Sequence, residues 1–281
     1  MKIALVTDST AYLPKDMIDK YNVFVIPLNI IFENDSYREG VDITTAEFYK
    51  KVKTEENLPT TSQPAIGEMV KLYEELSNDY DAIISIHLSK RLSGTFEASQ
   101  TAGNMVENIP VYSIDSTITT IPQGFLVMEA GEMIKDGMEV ERIIDVLNNY
   151  IKNMTAYFMV ADLSHLQRGG RLSGAQKIVG SLLNIKPVLH ITDGQIKPFE
   201  KIRSKKKALK RIHNLLEQDA LNKTIKKVAF VHANNEQGAL ELEKEFKDKY
   251  PYIETHISYF GPVIGTHIGE GALGAAWYFE N

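Results

Sequence analysis

The sequence predicts an α/β protein of two domains, the first with a mainly parallel sheet covered by helices, the second with a mixed sheet. Three observations carry this. Short apolar runs of strand length alternate with segments whose apolar residues recur at helical spacing. The early runs end in small polar residues, which suits the carboxyl ends of parallel strands, where binding loops lie. Later, Asp193-Gly194 separates two apolar runs, which is the signature of a tight hairpin and demands antiparallel neighbours.

Taken in order, Ile3 to Val6 reads as a buried strand ended by Thr7-Asp8-Ser9-Thr10, and Val23 to Ile26 as a second. Thr44 and Glu47, three apart, form a capping box that opens a short helix. Pro64 stands where a first-turn proline would, ahead of a helix with Met69, Leu72, Tyr73 and Leu76 on one face. Ala82 to Ile86 is a third strand, Ser93-Gly94 opens the next helix, and Val111 to Ile114 is a fourth strand ended by Asp115-Ser116. A helix is expected to begin within Thr117 to Gly124. Val140, Ile143, Ile144, Leu147 and Ile151 mark an amphipathic helix that closes the first domain. The second half offers strands at Tyr157 to Val160, Pro187 to Ile191 and Ile196 to Phe199, then a helix with Leu209, Ile212, Leu215 and Leu216. A strand at Val228 to Val231, a helix carrying Leu240, Leu242 and Phe246, a strand near Tyr252 to Ser258 and a last strand at Ala275 to Phe279 follow. The domains are set at residues 1–155 and 156–281.

The 281 residues carry a formal net charge of -6, which argues against a broad positive surface for nucleic acid. There is no cysteine, so disulfides, thiol nucleophiles and thiolate metal sites are excluded. The first residues, Met1 to Asp8, turn polar too soon for a secretion signal, and no run approaches the roughly 18 apolar residues of a spanning helix. A cytoplasmic protein is expected.

Five segments can carry chemistry. Thr60-Thr61-Ser62-Gln63-Pro64 sets hydroxyls ahead of a helix, which serves either as a cap or as an anion site beside unpaired amides. His87 to Thr95 joins a buried strand to a helix, and there Ser93 and Thr95 offer hydroxyls while Gly94 lets a ligand approach its amide. Arg168-Gly169-Gly170-Arg171 sets two guanidinium groups among glycines, suited to a phosphate or an acidic partner if the loop is not merely solvated. Lys201, Arg203, Lys205, Lys206, Lys207, Lys210 and Arg211 form a basic run, either the wet face of a helix or a patch for an acidic partner or an anionic lipid surface. Gly261 to Gly274 places His267 among glycines. Its Gly269, Gly271 and Gly274 match GxGxxG, but only a strand follows, so a dinucleotide site is rejected. No P-loop, no GxSxG elbow and no histidine pair of metal-binding spacing occurs. Arg-Leu-Ser-Gly recurs at 91–94 and 171–174, too short an echo to make a repeat.

Together these motifs resemble the DegV family of bacterial fatty-acid-binding proteins. The matching residues are Thr7-Asp8-Ser9-Thr10, Thr61-Ser62-Gln63-Pro64, Ser93-Gly94-Thr95, Asp115-Ser116, Arg168-Gly169-Gly170-Arg171-Leu172 and Gly265-Thr266-His267-Ile268-Gly269, in one order along nearly the whole chain. The resemblance implies two α/β domains and a long-chain fatty acid buried between or beneath them. It implies that Thr61, Ser93 and the Gly94 amide hold the carboxylate, that His267 belongs to the same network, and that Ser62, Thr95 and Gly265 form a wider ligand shell. It implies no cofactor and no catalysis by the chain itself. A separate fatty acid kinase would phosphorylate the bound acid with ATP for phospholipid synthesis, docking on Arg168, Arg171 and Arg203, with transient membrane-surface contact as a further partner. The departures are Ala65 in place of a usual serine, a less serine-rich Thr117 to Gly124, and Glu270 where proline is common. The rival from another class is an esterase or thioesterase using Ser93 and His267.

Overall fold

The computed structural model describes residues 1–33, 35–55, 57–173 and 186–280. The chain divides into two compact units, Met1–Thr44 with Pro59–Lys152, and Thr45–Leu58 with Asn153–Asn281. A single cut near residue 155 therefore misses one excursion, because Thr45–Leu58 is counted with the second unit.

The first unit is built on four parallel strands, β1 (Ile3–Asp8), β2 (Val23–Ile26), β6 (Ala82–His87) and β7 (Val111–Asp115), in the order β2-β1-β6-β7. β1 and β6 are buried along their whole length, as expected of central strands covered on both faces. Helix α3 (Ile66–Leu76) sets Met69, Tyr73 and Leu76 against Ala4, Val6 and Ile83, beside Ala98 and Ala102 of α4 (Thr95–Met105). Helix α5 (Ile121–Lys135) is buried on nearly every side, which suits its largely apolar sequence. α1 (Lys15–Tyr21) and the strongly amphipathic α6 (Val140–Lys152) complete the unit. A small antiparallel sheet, β4 (Asp35–Arg38), β3 (Asn29–Phe32), β5 (Thr60–Ser62), was not anticipated from the sequence. Thr61 and Ser62 lie on a strand, not at a helix start, and Pro64 precedes the N-cap Ala65.

The second unit carries a mixed six-stranded sheet, β8 (Met154–Met159), β9 (Val188–Thr192), β10 (Gln195–Glu200), β11 (Thr224–His232), β12 (Glu254–Tyr259) and β13 (Leu273–Glu280), in the order β10-β9-β8-β13-β11-β12. β11 and β12 pair in parallel, and the other neighbouring strands of this sheet pair antiparallel. Asp193 and Gly194, both with positive φ (52° and 74°), make the tight turn between β9 and β10. Helices α8 (Lys205–Asn222) and α9 (Glu236–Lys247) bury Ala208, Ile212, Leu216, Ala239, Leu242 and Phe246 in one cluster with Trp277. Leu240, named with Leu242 and Phe246 as an apolar residue of α9, is 40% exposed. The helical period from Leu242 and Phe246 leads back to Ala239, not to Leu240. Tyr252, expected in a strand, is 77% exposed ahead of β12. Helix α2 (Thr45–Val52) is anchored in this unit by Tyr49, whose hydroxyl donates to the Phe260 carbonyl at 2.8 Å. Two short helices follow the same pattern of ending near glycine: α7 (Ser164–Arg168) stops at Gly169, its C-cap, and α10 (Pro262–Ile268) carries His267 and stops at Gly269. Gly174, which closes the second Arg-Leu-Ser-Gly, lies outside the described residues.

Candidate functional site

In the first unit, parallel strands bring the ends of β1, β6 and β7 to one edge of the sheet. The loop after β6 is pinned from both sides. Leu88 N donates to Asp8 Oδ2 (3.0 Å), Ser89 N to the Ile118 carbonyl (2.7 Å), and Ser116 N to the His87 carbonyl (3.0 Å). Ser93 N then closes a turn on the Ser89 carbonyl at 3.1 Å, so Ser93 sits at a defined height just before α4.

That helix start is open. Gly94 is the N-cap residue of α4 and provides no side-chain cap, so the first-turn amides lack the usual local acceptor. Ser93 Oγ lies 2.9 Å from Thr95 Oγ1, leaving both hydroxyls at the same mouth; Ser93 and Gly94 are half-buried, and Thr95 is buried. The second motif segment reaches this point. Gln63 Oε1 occupies the space that a Cβ on Gly94 would need, so Thr61-Ser62-Gln63 and Ser93-Gly94 are in contact. Thr61, half-buried on β5, is held opposite Ile30, and Ser62 opposite Asn29, whose Nδ2 donates to Ser62 Oγ at 3.4 Å. The two hydroxyl-bearing segments thus meet, with Gln63 as the residue the sequence reading passed over.

In the second unit His267 lies near the end of α10, and its ring fills the space above Gly169, where a Cβ would strike Nδ1. Burial, then the Arg171 charge, then His165 push its pKa down from the ordinary 6.5 to about 4. His267 is therefore a neutral imidazole at pH 7, able to donate and to accept. Gly265 packs against Phe48 and Tyr49, which assigns it a packing role within this unit. Glu270 pairs with Lys53 Nζ (2.8 Å) and accepts from Asn234 Nδ2 (2.6 Å).

The arginines separate. Arg168 and Arg203 are exposed. Arg171 is half-buried, its Nη1 donating to the Gly169 carbonyl at 2.6 Å, and burial lowers its pKa. Of the glycines beside it, Gly169 makes room for the His267 ring, and Gly170 supplies a positive φ of 68°. Thr7-Asp8-Ser9-Thr10, read as a binding loop, instead turns inward. Thr7 Oγ1 donates to the Ile86 carbonyl (2.7 Å), Ser9 Oγ to Glu39 Oε2 (2.5 Å), and Asp8 is sealed from solvent.

Fold and site together define a two-unit α/β protein that presents an uncapped, hydroxyl-lined helix start suited to an anion. The chain belongs to the DegV family: the family model described as "Uncharacterised protein, DegV family" matches residues 2–280. It is 52% identical over 281 residues to the protein DegV of Bacillus subtilis, covering 100% of both chains. It is 50% identical over 277 residues to a DegV domain-containing protein of Listeria innocua, covering 98% of each. Among solved structures, that of B. subtilis DegV, described as a fatty acid binding protein, superposes with a TM-score of 0.94 over 100% of both chains at 52% identity. A Thermus thermophilus family member described by its fatty acid binding superposes at 0.92, with 32% identity over 100% of both.

Proposed function

We propose that this chain binds one long-chain fatty acid, with the carboxylate received by the Thr61 and Ser93 hydroxyls and the Gly94 amide. The observation that carries the reading is the contact of Gln63 with Gly94, which joins the Thr61 strand to the uncapped start of α4. A carboxylate withdrawn from water needs donors to remain ionised, and hydroxyls, a backbone amide and a helix N-terminus supply them without a salt bridge. The tail supplies affinity, at about 0.8 kcal/mol per buried methylene, or roughly 12 kcal/mol gross for about fifteen. The solved relatives described as fatty acid binding support the same ligand.

The finer reading is that the bound acid is presented to a separate kinase for acyl-phosphate formation, feeding phospholipid synthesis in the cytoplasm. Arg168, Arg203 and the exposed lysines Lys205, Lys206, Lys207 and Lys210 offer the basic surface for such a partner or for brief contact with anionic lipid. Arg171 contributes less to docking, because its guanidinium is half spent inside the unit. Ser62 and Thr95 are further head-group ligands in this reading.

The test is direct. Protein made in bacteria is extracted with organic solvent and the extract analysed by mass spectrometry; a stoichiometric long-chain fatty acid is expected. An empty extract, together with no uptake of added fatty acid, would sink the proposal. Ser93→Ala and Thr61→Ala should each lower fatty-acid affinity by about ten- to 150-fold, the range for losing one hydrogen bond to a charged group, with the fold intact. Acyl-thioester turnover that disappears in Ser93→Ala would favour a hydrolase instead.

A further inference from the structure

Inside the first unit, Ser85, His87 and Asp8 stand in the order of a hydrolase triad. Ser85 Oγ lies 2.7 Å from His87 Nε2, and His87 Nδ1 lies 3.0 Å from Asp8 Oδ2. Catalysis is ruled out by access, since all three residues are 0% exposed and Ser85 Oγ also meets Tyr73 Oη at 3.0 Å. The constellation must do something else, because burying an ionised carboxylate this deeply is costly unless each of its acceptor sites is used.

Asp8 meets that condition. Oδ1 accepts from Thr10 N (3.0 Å) and Thr10 Oγ1 (2.6 Å), and Oδ2 accepts from His87 Nδ1 (3.0 Å), Leu88 N (3.0 Å) and Gln123 Nε2 (3.1 Å). Burial alone pushes its pKa up, but the hydrogen bond and charge of His87, with Thr10 and Leu88, outweigh burial and hold it below the usual carboxylate value. Its partners come from the turn just after β1, the end of β6 and the first turn of α5. One of them, Leu88, begins the loop that carries Ser93.

The hydroxyl chain continues beyond Ser85. Tyr73 Oη, on α3, lies 2.8 Å from Ser99 Oγ on α4, and Ser99 Oγ lies 2.7 Å from Ser113 Oγ on β7. α3 follows the strand of Thr61, and α4 begins at Gly94. A single polar chain therefore ties together the two helices that follow the two head-group segments.

We propose that Asp8 and His87 are positioning residues for the carboxylate site: a buried clamp that sets the loop Leu88–Gly94 and so aims Ser93 and the open amides of α4. This rests on the head-group reading above. Uncharged donors hold a carboxylate only when placed to within about half an ångström, and the clamp supplies that constraint from beneath.

The experiment measures dissociation constants of delipidated protein for a long-chain fatty acid and for the fatty alcohol of equal length. Wild type should prefer the acid. Asp8→Asn, and His87→Gln, which keeps a group near Ser85 but loses Asp8, should each reduce the acid-to-alcohol preference about tenfold, the scale of a misplaced charge-assisted hydrogen bond. His87→Asn, whose amide nitrogen falls near the Nδ1 position, should keep most of it. Leu147→Ala, a core truncation on α6 outside the chain, lowers stability and should leave the preference unchanged. Wild-type preference retained in both Asp8→Asn and His87→Gln, or an equal loss in Leu147→Ala, overturns the positioning role. A wild type that does not discriminate acid from alcohol overturns the head-group reading itself, and this inference with it.

Discussion

Acid should loosen the second unit through His267, by an amount that can be worked out beforehand. Its imidazole titrates near 6.5 when unfolded and at about 4 when folded, so between those values the unfolded chain binds the extra proton. Stability therefore falls as pH drops through 6.5 and levels off below about 4. Integrated from pH 7 to pH 4.5, the loss is roughly 2 kcal/mol, out of about 3 kcal/mol for the full displacement. Such a loss is a sizeable part of the ~5–15 kcal/mol that holds an ordinary domain. The chain has one tryptophan, Trp277, buried in the same unit, so its fluorescence reports that unit's unfolding. Urea titrations of delipidated wild type and His267→Gln at both pH values isolate the effect, because Asp8, His190 and His232, whose pKa values are also lowered, contribute equally to both proteins. The variant should lose about 2 kcal/mol less than wild type on acidification. Equal losses in the two proteins would show that His267 is not held neutral by burial and Arg171, and the reasoning would fail.

Gly169→Ala should push the His267 ring from its seat, since the new methyl would overlap Nδ1 of a rigid ring; a cost of about 1–3 kcal/mol is expected, with the imidazole pKa moving back toward 6.5 in an NMR titration. Trp277→Phe removes the indole donor to Asp219 Oδ2 (2.8 Å) and part of a filled core position, and should cost about 2–4 kcal/mol in denaturant unfolding. A neutral result would mean that Asp219 is satisfied by Lys223 alone.

Much of the fold was legible because period and strand length are local properties. β2 coincides with the run Val23 to Ile26, and α6 buries Val140, Ile143 and Leu147 as the 3.6-residue spacing requires. The β3–β4–β5 sheet was not legible. β4 is Asp-Ser-Tyr-Arg, mostly exposed, and β5 is three residues of Thr and Ser, so neither shows alternation that a reader could detect. Thr61 was correctly singled out while its element was mistaken, because hydroxyl residues before a helix suit a strand end as well as a cap.

What the sequence by itself determined is the set of chemical groups: strand runs that must be buried, a glycine where α4 begins, hydroxyls on each side of it, and a histidine among glycines. Those follow from residue type and spacing along the chain. Only the tertiary structure decided which groups face a ligand and which face one another. Asp8 and Ser93 sit in equally polar strand-end motifs, yet one is sealed beneath the loop and the other stands at its mouth. The reason is that hydrogen-bond partners 79 and 115 residues away, at His87 and Gln123, settle the direction of the Asp8 carboxylate, and no local pattern records them.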